Sequence, residues 1–250
     1  MSDRADWFAR PRPRAEAPVQ LLCLPHAGAG PSVYASWPQA LDEADVLIAQ
    51  LPGRERRIAE PVPEGLGEIA DELHEALPAS DKPLVIFGHS LGALLGFELA
   101  RRLRQAAGTR LRRLVVSGCR APGEVGGGTR HRLDDGDLVA EMRDLGGTPD
   151  EVLEDPELLE LLLPTVRADF ALAEEYVPHE EQPLDVPIVA LAGVADADAP
   201  PSAVDAWRHE TTQPFRSHAV PGGHFFVASE RSTVFALVRG VLDEAREAGP

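Results

Sequence analysis

The segment from Pro83 to Arg104, PLVIFGHSLGALLGFELARRLR, constrains the fold of this chain more than any other segment. The apolar run 84–87 is typical of a buried strand, and the leucines that follow recur at helical spacing. Between them lies GHSLG, which matches the G-x-S-x-G turn, where two glycines let a strand and a helix pack closely and expose the serine. The pattern predicts Ser90 as a nucleophile. The alternative is an ordinary turn in which Ser90 caps the helix.

A serine hydroxyl needs a base within hydrogen-bond reach and a third group that orients the base. In chains with this turn the order is serine, acid, histidine. His224, in the glycine-flanked loop AVPGGHFFV after the last predicted strand, is the expected general base. Asp196 in ALAGVADADA is the favoured acid. Asp198 lies two residues further along the same loop and remains the alternative.

Acyl transfer also requires N–H donors for the negatively charged oxygen of the tetrahedral intermediate. One donor is expected from the backbone of Leu91, directly after the nucleophile at the start of the helix. The other is expected from the turn HAGAGP after the first strand, with Ala27 as the favoured residue. Such a turn could also hold a phosphate, but it lacks the glycine spacing of both the P-loop and the dinucleotide-binding motif.

Strand-like and helix-like segments alternate along most of the chain, which predicts an α/β fold with a mostly parallel sheet between helical layers. The predicted strands are 19–25, 45–51, 84–87, 111–118, 187–193 and 215–220. Residues 18–250 are expected to form a single domain, and residues 1–17 are expected to form a flexible N-terminal arm.

The stretch 121–185 breaks this alternation and carries 18 acidic residues against 4 arginines, hence −14 of the net charge of −17. It has helical patterns over 133–145 and 150–176. An insertion here would lie over the carboxyl ends of the strands, so we predict a helical lid. The alternative is an accessory helical layer that only completes the core. The following apolar residues could face either a core or an acyl group: Leu158, Leu159, Leu162, Leu163, Val166 and Phe170.

Composition restricts the partners and the location. The net charge argues against nucleic acid, whose phosphates would be repelled. The charged, proline-rich N-terminus resembles neither a signal peptide nor a membrane anchor, so a cytoplasmic location without membrane contact is expected. A monomer is expected as well, although no motif in the sequence specifies the oligomeric state. Cys23 and Cys119 lack the spacing of metal ligands and are predicted to be buried free thiols. The predicted chemistry requires no metal and no cofactor.

Four segments resemble those of the type II thioesterases that accompany modular polyketide and nonribosomal peptide synthases: LCLPHAGAG, QLPGRERR, FGHSLGALLGFELARRL and PGGHFF. They occur in the family's order and cover most of the chain. The resemblance implies an α/β-hydrolase fold with a helical lid and a triad of Ser90, His224 and Asp196. It also implies hydrolysis of acyl thioesters on the phosphopantetheine arm of an acyl or peptidyl carrier protein, which removes aberrant or stalled acyl groups. The doubled acid in ADADA departs from the family pattern.

Carrier proteins of this kind are generally acidic, which leads to a hypothesis about docking. The carrier would bind Arg54, Arg56 and Arg57, and the acidic lid would steer it away from wrong approaches. The alternative is that these arginines lie in a solvated loop. Three other functions remain open: a carrier-independent esterase or lipase-like hydrolase, a thioesterase that releases the finished product, and an inactive module that binds acyl carriers.

Overall fold

The computed structural model describes residues 7–104, 109–178 and 182–247. Within these ranges seven strands form one sheet, in the order β1-β3-β2-β4-β5-β6-β7. They are β1 (Phe8–Ala9), β2 (Val19–Leu24), β3 (Ala44–Ala49), β4 (Leu84–His89), β5 (Leu111–Ser117), β6 (Ile188–Gly193) and β7 (Phe215–Val220). All neighbours pair in parallel except β1 with β3. This confirms the mostly parallel sheet that the sequence predicts.

Helices cover both faces of the sheet. Within the described ranges they are α1 (Trp37–Ala40), α2 (Leu66–Ala76), α3 (Leu91–Arg104), α4 (Asp135–Leu145), α5 (Asp150–Leu153), α6 (Pro156–Glu174), α7 (Pro201–Val204), α8 (Phe226–Ser229) and α9 (Arg231–Glu247). Leu22 on β2 packs in the core shared with α2 and α3, whereas the adjacent Leu21 packs in the core shared with α1 and α9. Because β2, β3, β4 and β6 each contribute to both cores, all six residues of each of these strands are buried, without alternation.

The parallel arrangement brings four loops to one edge of the sheet. The loops after β2, β4, β6 and β7 all leave the carboxyl ends of neighbouring strands. They carry Ala27, Ser90, Asp196 and His224 respectively. The topology therefore collects the candidate catalytic residues at the edge where open α/β sheets bind their ligands.

The segment 118–187, between β5 and β6, is called the insertion below; its residues 179–181 lie outside the described ranges. It contains α4, α5 and α6. The sequence predicts one helical segment over 150–176, but the structure divides it at Asp155. The Asp155 carboxylate accepts hydrogen bonds from the N–H groups of Glu157 and Leu158, at 2.9 and 3.2 Å. Pro156 holds the residue before it out of the helical conformation, so a new helix starts there.

The N-terminal segment differs from the prediction. Trp7 is buried, and β1 pairs with the edge of β3. The buried carboxylate of Asp45 accepts hydrogen bonds from the Arg10 side chain, at 2.9 Å, and from the Arg14 N–H, at 3.1 Å. The flexible arm is therefore wrong for residues 7–17, while residues 1–6 lie outside the described ranges. Charge and proline content suggested disorder, but a few long-range contacts with the sheet edge are enough to order this segment.

The structure bears on the cysteines, on membrane spans and on metal sites. Cys23 and Cys119 are buried and free, which confirms that prediction. In the part of the chain that the structure describes, no helix combines the length and the apolar composition needed to cross a bilayer. Nor do any three His, Cys, Asp or Glu side chains in these ranges lie where they could share a metal ion.

We expect Asp45→Asn to lower the free energy of unfolding at neutral pH by about 1–3 kcal/mol, because buried donors lose a charged acceptor. Burial by itself would raise the pKa of Asp45, but Arg10, the Arg14 N–H and Gln20 hold it below its ordinary value. The ionised carboxylate therefore stabilises the fold above the ordinary pKa, and this stabilisation disappears as the pH falls through the lower value of the folded state. Urea unfolding from neutral pH into the acid range should show the two proteins converging. A constant difference would contradict this role.

Candidate active site

Ser90 occupies a strained turn between β4 and α3. Its φ is +53°, in the left-handed region that residues with a side chain rarely adopt. Its N–H donates to the carbonyl oxygen of Ser117 on β5 at 2.8 Å, and its own carbonyl accepts from the N–H of Ala93 at 2.9 Å. These two bonds hold the residue in the strained conformation. The structure places Ser90 at the apex that the sequence predicts.

Two glycines allow the strand and helix to approach each other at this turn. A Cβ on Gly88 would lie 2.1 Å from the carbonyl oxygen of Gly92. A Cβ on Gly92 would lie 2.2 Å from the carbonyl oxygen of Leu24 on the neighbouring strand. Both contacts are with backbone, which cannot move aside as a flexible side chain would. The glycines of the G-x-S-x-G pattern are thus required by packing as well as by turn geometry.

His224 lies between β7 and α8, and its Nδ1 is 2.9 Å from Oδ2 of Asp196. Since a carboxylate only accepts, Nδ1–H is the donor, which leaves Nε2 as the proton acceptor. Oδ1 of Asp196 accepts from the N–H groups of Asp198 and Ala199, at 2.9 and 3.0 Å. Burial alone would raise the pKa of Asp196, but His224 and these N–H groups together lower it. Asp196 is therefore an ionised, fixed acceptor for the ring.

Asp198 points elsewhere. Its Oδ1 is 2.8 Å from Nη2 of Arg130 in the insertion, and its carbonyl oxygen accepts from Arg120 at 2.6 Å. Asp198 contacts Asp196 only through its backbone N–H. Of the two carboxylates that the sequence left open, the geometry favours Asp196 as the partner of His224.

Two more histidines lie beside His224. The His89 ring centroid is 5.3 Å from that of His224 and 6.0 Å from that of His26. Burial lowers the pKa of His26 to about 4 and that of His89 well below its ordinary value. Both rings are therefore neutral near pH 7, and His89 Nδ1 lies 2.9 Å from Oγ of Ser117. They add no positive charge beside the ring that pairs with Asp196.

The candidate oxyanion donors lie in the loops after β2 and β4. Neither the Ala27 N–H nor the Leu91 N–H has a hydrogen-bond acceptor among the residues that the structure describes. The neighbouring N–H of Gly28, by contrast, donates to Oδ2 of Asp169 at 2.7 Å. Leu91 is the first residue of α3, where the helix dipole favours negative charge. The arrangement leaves the two predicted donors available to a ligand.

A cavity of about 430 Å³ extends from Ser90 and His224 to the insertion, a volume within the range of small-molecule sites. Apolar side chains of the insertion form one wall: Met142, Leu145, Val152, Leu158, Leu161, Leu162, Val166 and Phe170. Leu159 and Leu163 on α6 do not line the cavity; they pack in a small core within the insertion, to which Leu162, Val166 and Phe170 of the wall also belong. The apolar wall of the cavity is therefore continuous with the core of the insertion.

The arginines after β3 do not form the proposed docking surface. Arg54 and Arg57 are each only 4% exposed, whereas Arg56 is exposed. The Arg54 guanidinium pairs with Asp169 at 2.8 Å, and that of Arg57 lies 4.0 Å over the Trp7 ring. The docking hypothesis is therefore wrong for Arg54 and Arg57, because the fold uses their charges internally.

Sequence reasoning missed Asp169. Its carboxylate is fully buried against Arg54 and the Gly28 N–H, and burial raises its pKa to about 6, although both partners act to lower it. As one of 18 acidic residues in its segment, it does not stand out by composition. The available signal was position, since Asp169 follows Val166 and Thr165 by three and four residues and shares their buried face.

Comparisons with known proteins identify the family of the chain. Residues 19–241 match the family model described as the thioesterase domain. The chain is 41% identical to thioesterase PikA5 of Streptomyces venezuelae, over 90% of this chain and 81% of that protein. It is 38% identical to a protein named linear gramicidin dehydrogenase LgrE of Brevibacillus parabrevis, over 94% and 92%. The structure of the type II thioesterase BorB from the borrelidin cluster superposes with a TM-score of 0.88 at 40% identity, covering 97% and 99%.

We expect Asp196→Asn to reduce kcat for acyl hydrolysis by about 10⁴-fold, because an amide does not hold the tautomer that leaves Nε2 free. Asp198→Asn is the matched control, since it makes the same change two residues away, at a carboxylate that pairs with Arg130 and not with His224. It should keep kcat within about tenfold, as expected for a partly exposed ion pair. Steady-state kinetics on both variants, with thermal unfolding as a check of folding, decides the assignment. A larger loss of kcat in Asp198→Asn than in Asp196→Asn would assign Asp198 as the partner of His224 instead.

Proposed function

The chain belongs to the thioesterase family, and on that premise we propose that it hydrolyses acyl thioesters held on the phosphopantetheine arm of carrier proteins. Its proposed role is to remove aberrant or stalled acyl groups during polyketide or nonribosomal peptide biosynthesis. One observation carries the proposal: Ser90 and His224, the latter paired with Asp196, line an apolar cavity beneath the insertion.

The first half of the proposed reaction is acyl transfer to the enzyme. Ser90 Oγ attacks the thioester carbonyl while His224 Nε2 takes the hydroxyl proton. The N–H groups of Ala27 and Leu91 would stabilise the charge that develops on the carbonyl oxygen. Collapse of the tetrahedral intermediate breaks the carbon–sulfur bond, and protonated His224 returns its proton to the departing pantetheine thiol. The products of this half are an acyl-serine and a free carrier thiol.

The second half releases the acid. A water molecule takes the place of the thiol, His224 accepts one of its protons, and the hydroxide attacks the acyl-serine carbonyl. The same two N–H groups bind the second oxyanion. Ser90 then leaves with the proton from His224, and the carboxylic acid dissociates. Asp196 remains ionised throughout, because its role is to orient and stabilise the ring.

The apolar wall of the insertion suits an acyl chain. Transfer of each methylene from water to such a wall is favourable by about 0.8 kcal/mol. Leu162, Val166 and Phe170 follow one face of α6 along the cavity. The acyl group is proposed to lie along this face, with its carbonyl at Ser90.

The dehydrogenase in the name of the relative LgrE is not carried over to this chain. The turn HAGAG after β2 lacks the glycine spacing of a dinucleotide-binding motif. Asp169 also occupies the Gly28 N–H, a donor that such a turn would direct at a phosphate. Both observations favour acyl transfer over dinucleotide binding at this turn.

The mouth of the cavity is a second element of the proposal. Six large apolar side chains are exposed among the described residues, and four of them line this cavity: Val33, Ile58, Leu158 and Leu161. These four residues are called the mouth patch. A carrier that inserts its arm toward Ser90 must place its own body over the mouth, so the mouth patch is the proposed docking surface. Exposed apolar patches of this kind commonly mark interaction sites.

Charge contributes less to docking than the sequence suggested. Arg56 is exposed two residues before Ile58 and is the arginine of the original hypothesis that remains at the surface. Glu157 and Glu160, exposed on α6 beside Leu158 and Leu161, oppose an acidic carrier. We therefore expect apolar contact to supply most of the affinity, with charge acting on orientation and association rate.

The proposed function is tested with a short acyl group on a phosphopantetheinylated carrier and on a free thioester of the same acid. We expect a higher kcat/KM on the carrier, and loss of nearly all activity on both substrates in Ser90→Ala. Equal rates on the two substrates would favour a general esterase, and preference for the complete product would favour a product-releasing enzyme. Activity that survives in Ser90→Ala would show that Ser90 is not the nucleophile.

Docking at the mouth patch is tested with Leu161→Glu, which places a charge on a side chain that is 60% exposed. We expect the ratio of kcat/KM on carrier to kcat/KM on free thioester to fall about tenfold, the usual effect of losing a central interface contact. Val177→Glu is the matched control, because Val177 is another exposed apolar side chain but does not line the cavity. An equal change of the ratio in both variants would exclude a specific contact at the mouth.

A further inference from the structure

The buried carboxylate of Asp169 connects the insertion to two loops of the active site. It is completely buried on α6, with Oδ2 on the Gly28 N–H at 2.7 Å and Oδ1 on Arg54 Nη2 at 2.8 Å. Gly28 belongs to the loop after β2, and Arg54 belongs to the loop after β3. A buried charge is costly unless it is paired and hydrogen-bonded, and here both oxygens are used.

The contact with Gly28 acts on the peptide group next to the proposed oxyanion donor. The Gly28 N–H and the Ala27 carbonyl belong to one peptide plane. Asp169 holds the N–H end of this plane, and Nδ1 of His26 holds the carbonyl end at 3.0 Å. The Ala29 N–H closes the turn on the His26 carbonyl at 3.1 Å. With both ends of the plane held, the preceding peptide, which carries the Ala27 N–H, has little freedom to rotate.

The packing of Gly28 supports the same arrangement. Its φ is +73°, and a Cβ at this position would lie 2.6 Å from Cγ2 of Val166 on α6. The turn is therefore pressed against the helix that carries Asp169. Without a fixed acceptor, the Gly28 N–H would compete with the Ala27 N–H for the same anion, since consecutive N–H groups in such a turn form an anion-binding concavity.

We propose that Asp169 is a positioning residue that directs the Ala27 N–H at the developing oxyanion by holding the Gly28 N–H away from it. The proposal rests on the proposed function, because it assumes acyl transfer at Ser90. Asp169 acts through the backbone of the turn and does not touch the substrate. Helix α6 thus contributes Val166 and Phe170 to the apolar wall of the cavity and Asp169 to the positioning of the oxyanion donor.

Arg54 makes this arrangement compatible with catalysis. A lone carboxylate behind the oxyanion donors would repel the negative charge of the transition state. The Arg54 guanidinium cancels that charge at a distance of 2.8 Å, so the turn is held by a pair that is neutral overall. Arg54 is itself only 4% exposed and lines the cavity, so the compensation occurs where little water can screen it.

The test compares Asp169→Ala with Thr165→Val on a free short-chain acyl thioester. Thr165 lies one turn earlier on α6 and donates from Oγ1 to the Gly53 carbonyl at 2.6 Å, so its loss also loosens the helix from the loop after β3 but leaves Gly28 held. We expect kcat to fall about 10- to 100-fold in Asp169→Ala, with KM within about threefold, because one oxyanion donor is misplaced and not removed. Thr165→Val should keep kcat within about threefold.

Two additions separate positioning from a purely structural role. The double variant Arg54→Met with Asp169→Leu replaces the buried pair by apolar side chains of similar size, a change that commonly preserves folding. It should show the same loss of kcat. An alkylboronic acid forms a tetrahedral anion on a reactive serine, so its affinity should fall in parallel with kcat/KM. The affinity for the carboxylic acid product depends on contacts in the acyl cavity and should not change.

The outcomes are distinct from those for the carrier proposal, because this assay contains no carrier protein. A kcat within threefold of the parent in both Asp169 variants would overturn the positioning role. So would equal losses of boronic acid and product affinity, which indicate a damaged cavity. The positioning role would be established if kcat and boronic acid affinity fall while product affinity does not change, and if the well-folded double variant shows the same losses. This result would hold even if carriers prove not to be the substrate.

Discussion

The close approach of β4 and α3 is the constraint on which the rest of the structure depends. At Gly88 and Gly92 the backbone packs directly against other backbone atoms. No side chain could occupy either position without displacing the strand or the helix. This contact holds Ser90 in its left-handed conformation at the carboxyl edge of the sheet. Because the sheet is parallel, the loops of Ala27, Asp196 and His224 arrive at the same edge. The candidate catalytic residues are thus brought together by one tight turn and by the order of the strands.

The insertion serves the site as a wall as well as a cover. The apolar face of α6 closes the cavity, while Asp169 and Thr165 on the same helix bond to the loops after β2 and β3. Replacing a buried ion pair by apolar residues often leaves stability unchanged or improves it, so stability alone is a weak reason for the Arg54–Asp169 pair. Its hydrogen bond to the turn beside Ser90 offers a better reason. Under the proposed function, one helix would support both acyl binding and oxyanion stabilisation.

Charge and apolar surface have different places in this protein. The acidic residues are concentrated in the insertion, and two of the three arginines expected to bind an acidic carrier, Arg54 and Arg57, are buried inside the fold. Exposed apolar side chains, by contrast, cluster at the mouth of the cavity. If a partner docks there as proposed, buried apolar area and shape should contribute more to recognition than charge attraction.

The sequence alone determined the features that rest on short-range rules: the strand, turn and helix around Ser90, the order of acid and base, the parallel architecture and the family. Only the tertiary structure distinguished Asp196 from Asp198, buried Arg54 and Arg57, paired residues 8–9 with a sheet edge, and brought Asp169 to Gly28. The physical reason is distance along the chain. Periodicity and turn chemistry act within a few residues, whereas these contacts join segments far apart in sequence, and their geometry exists only once the sheet has formed.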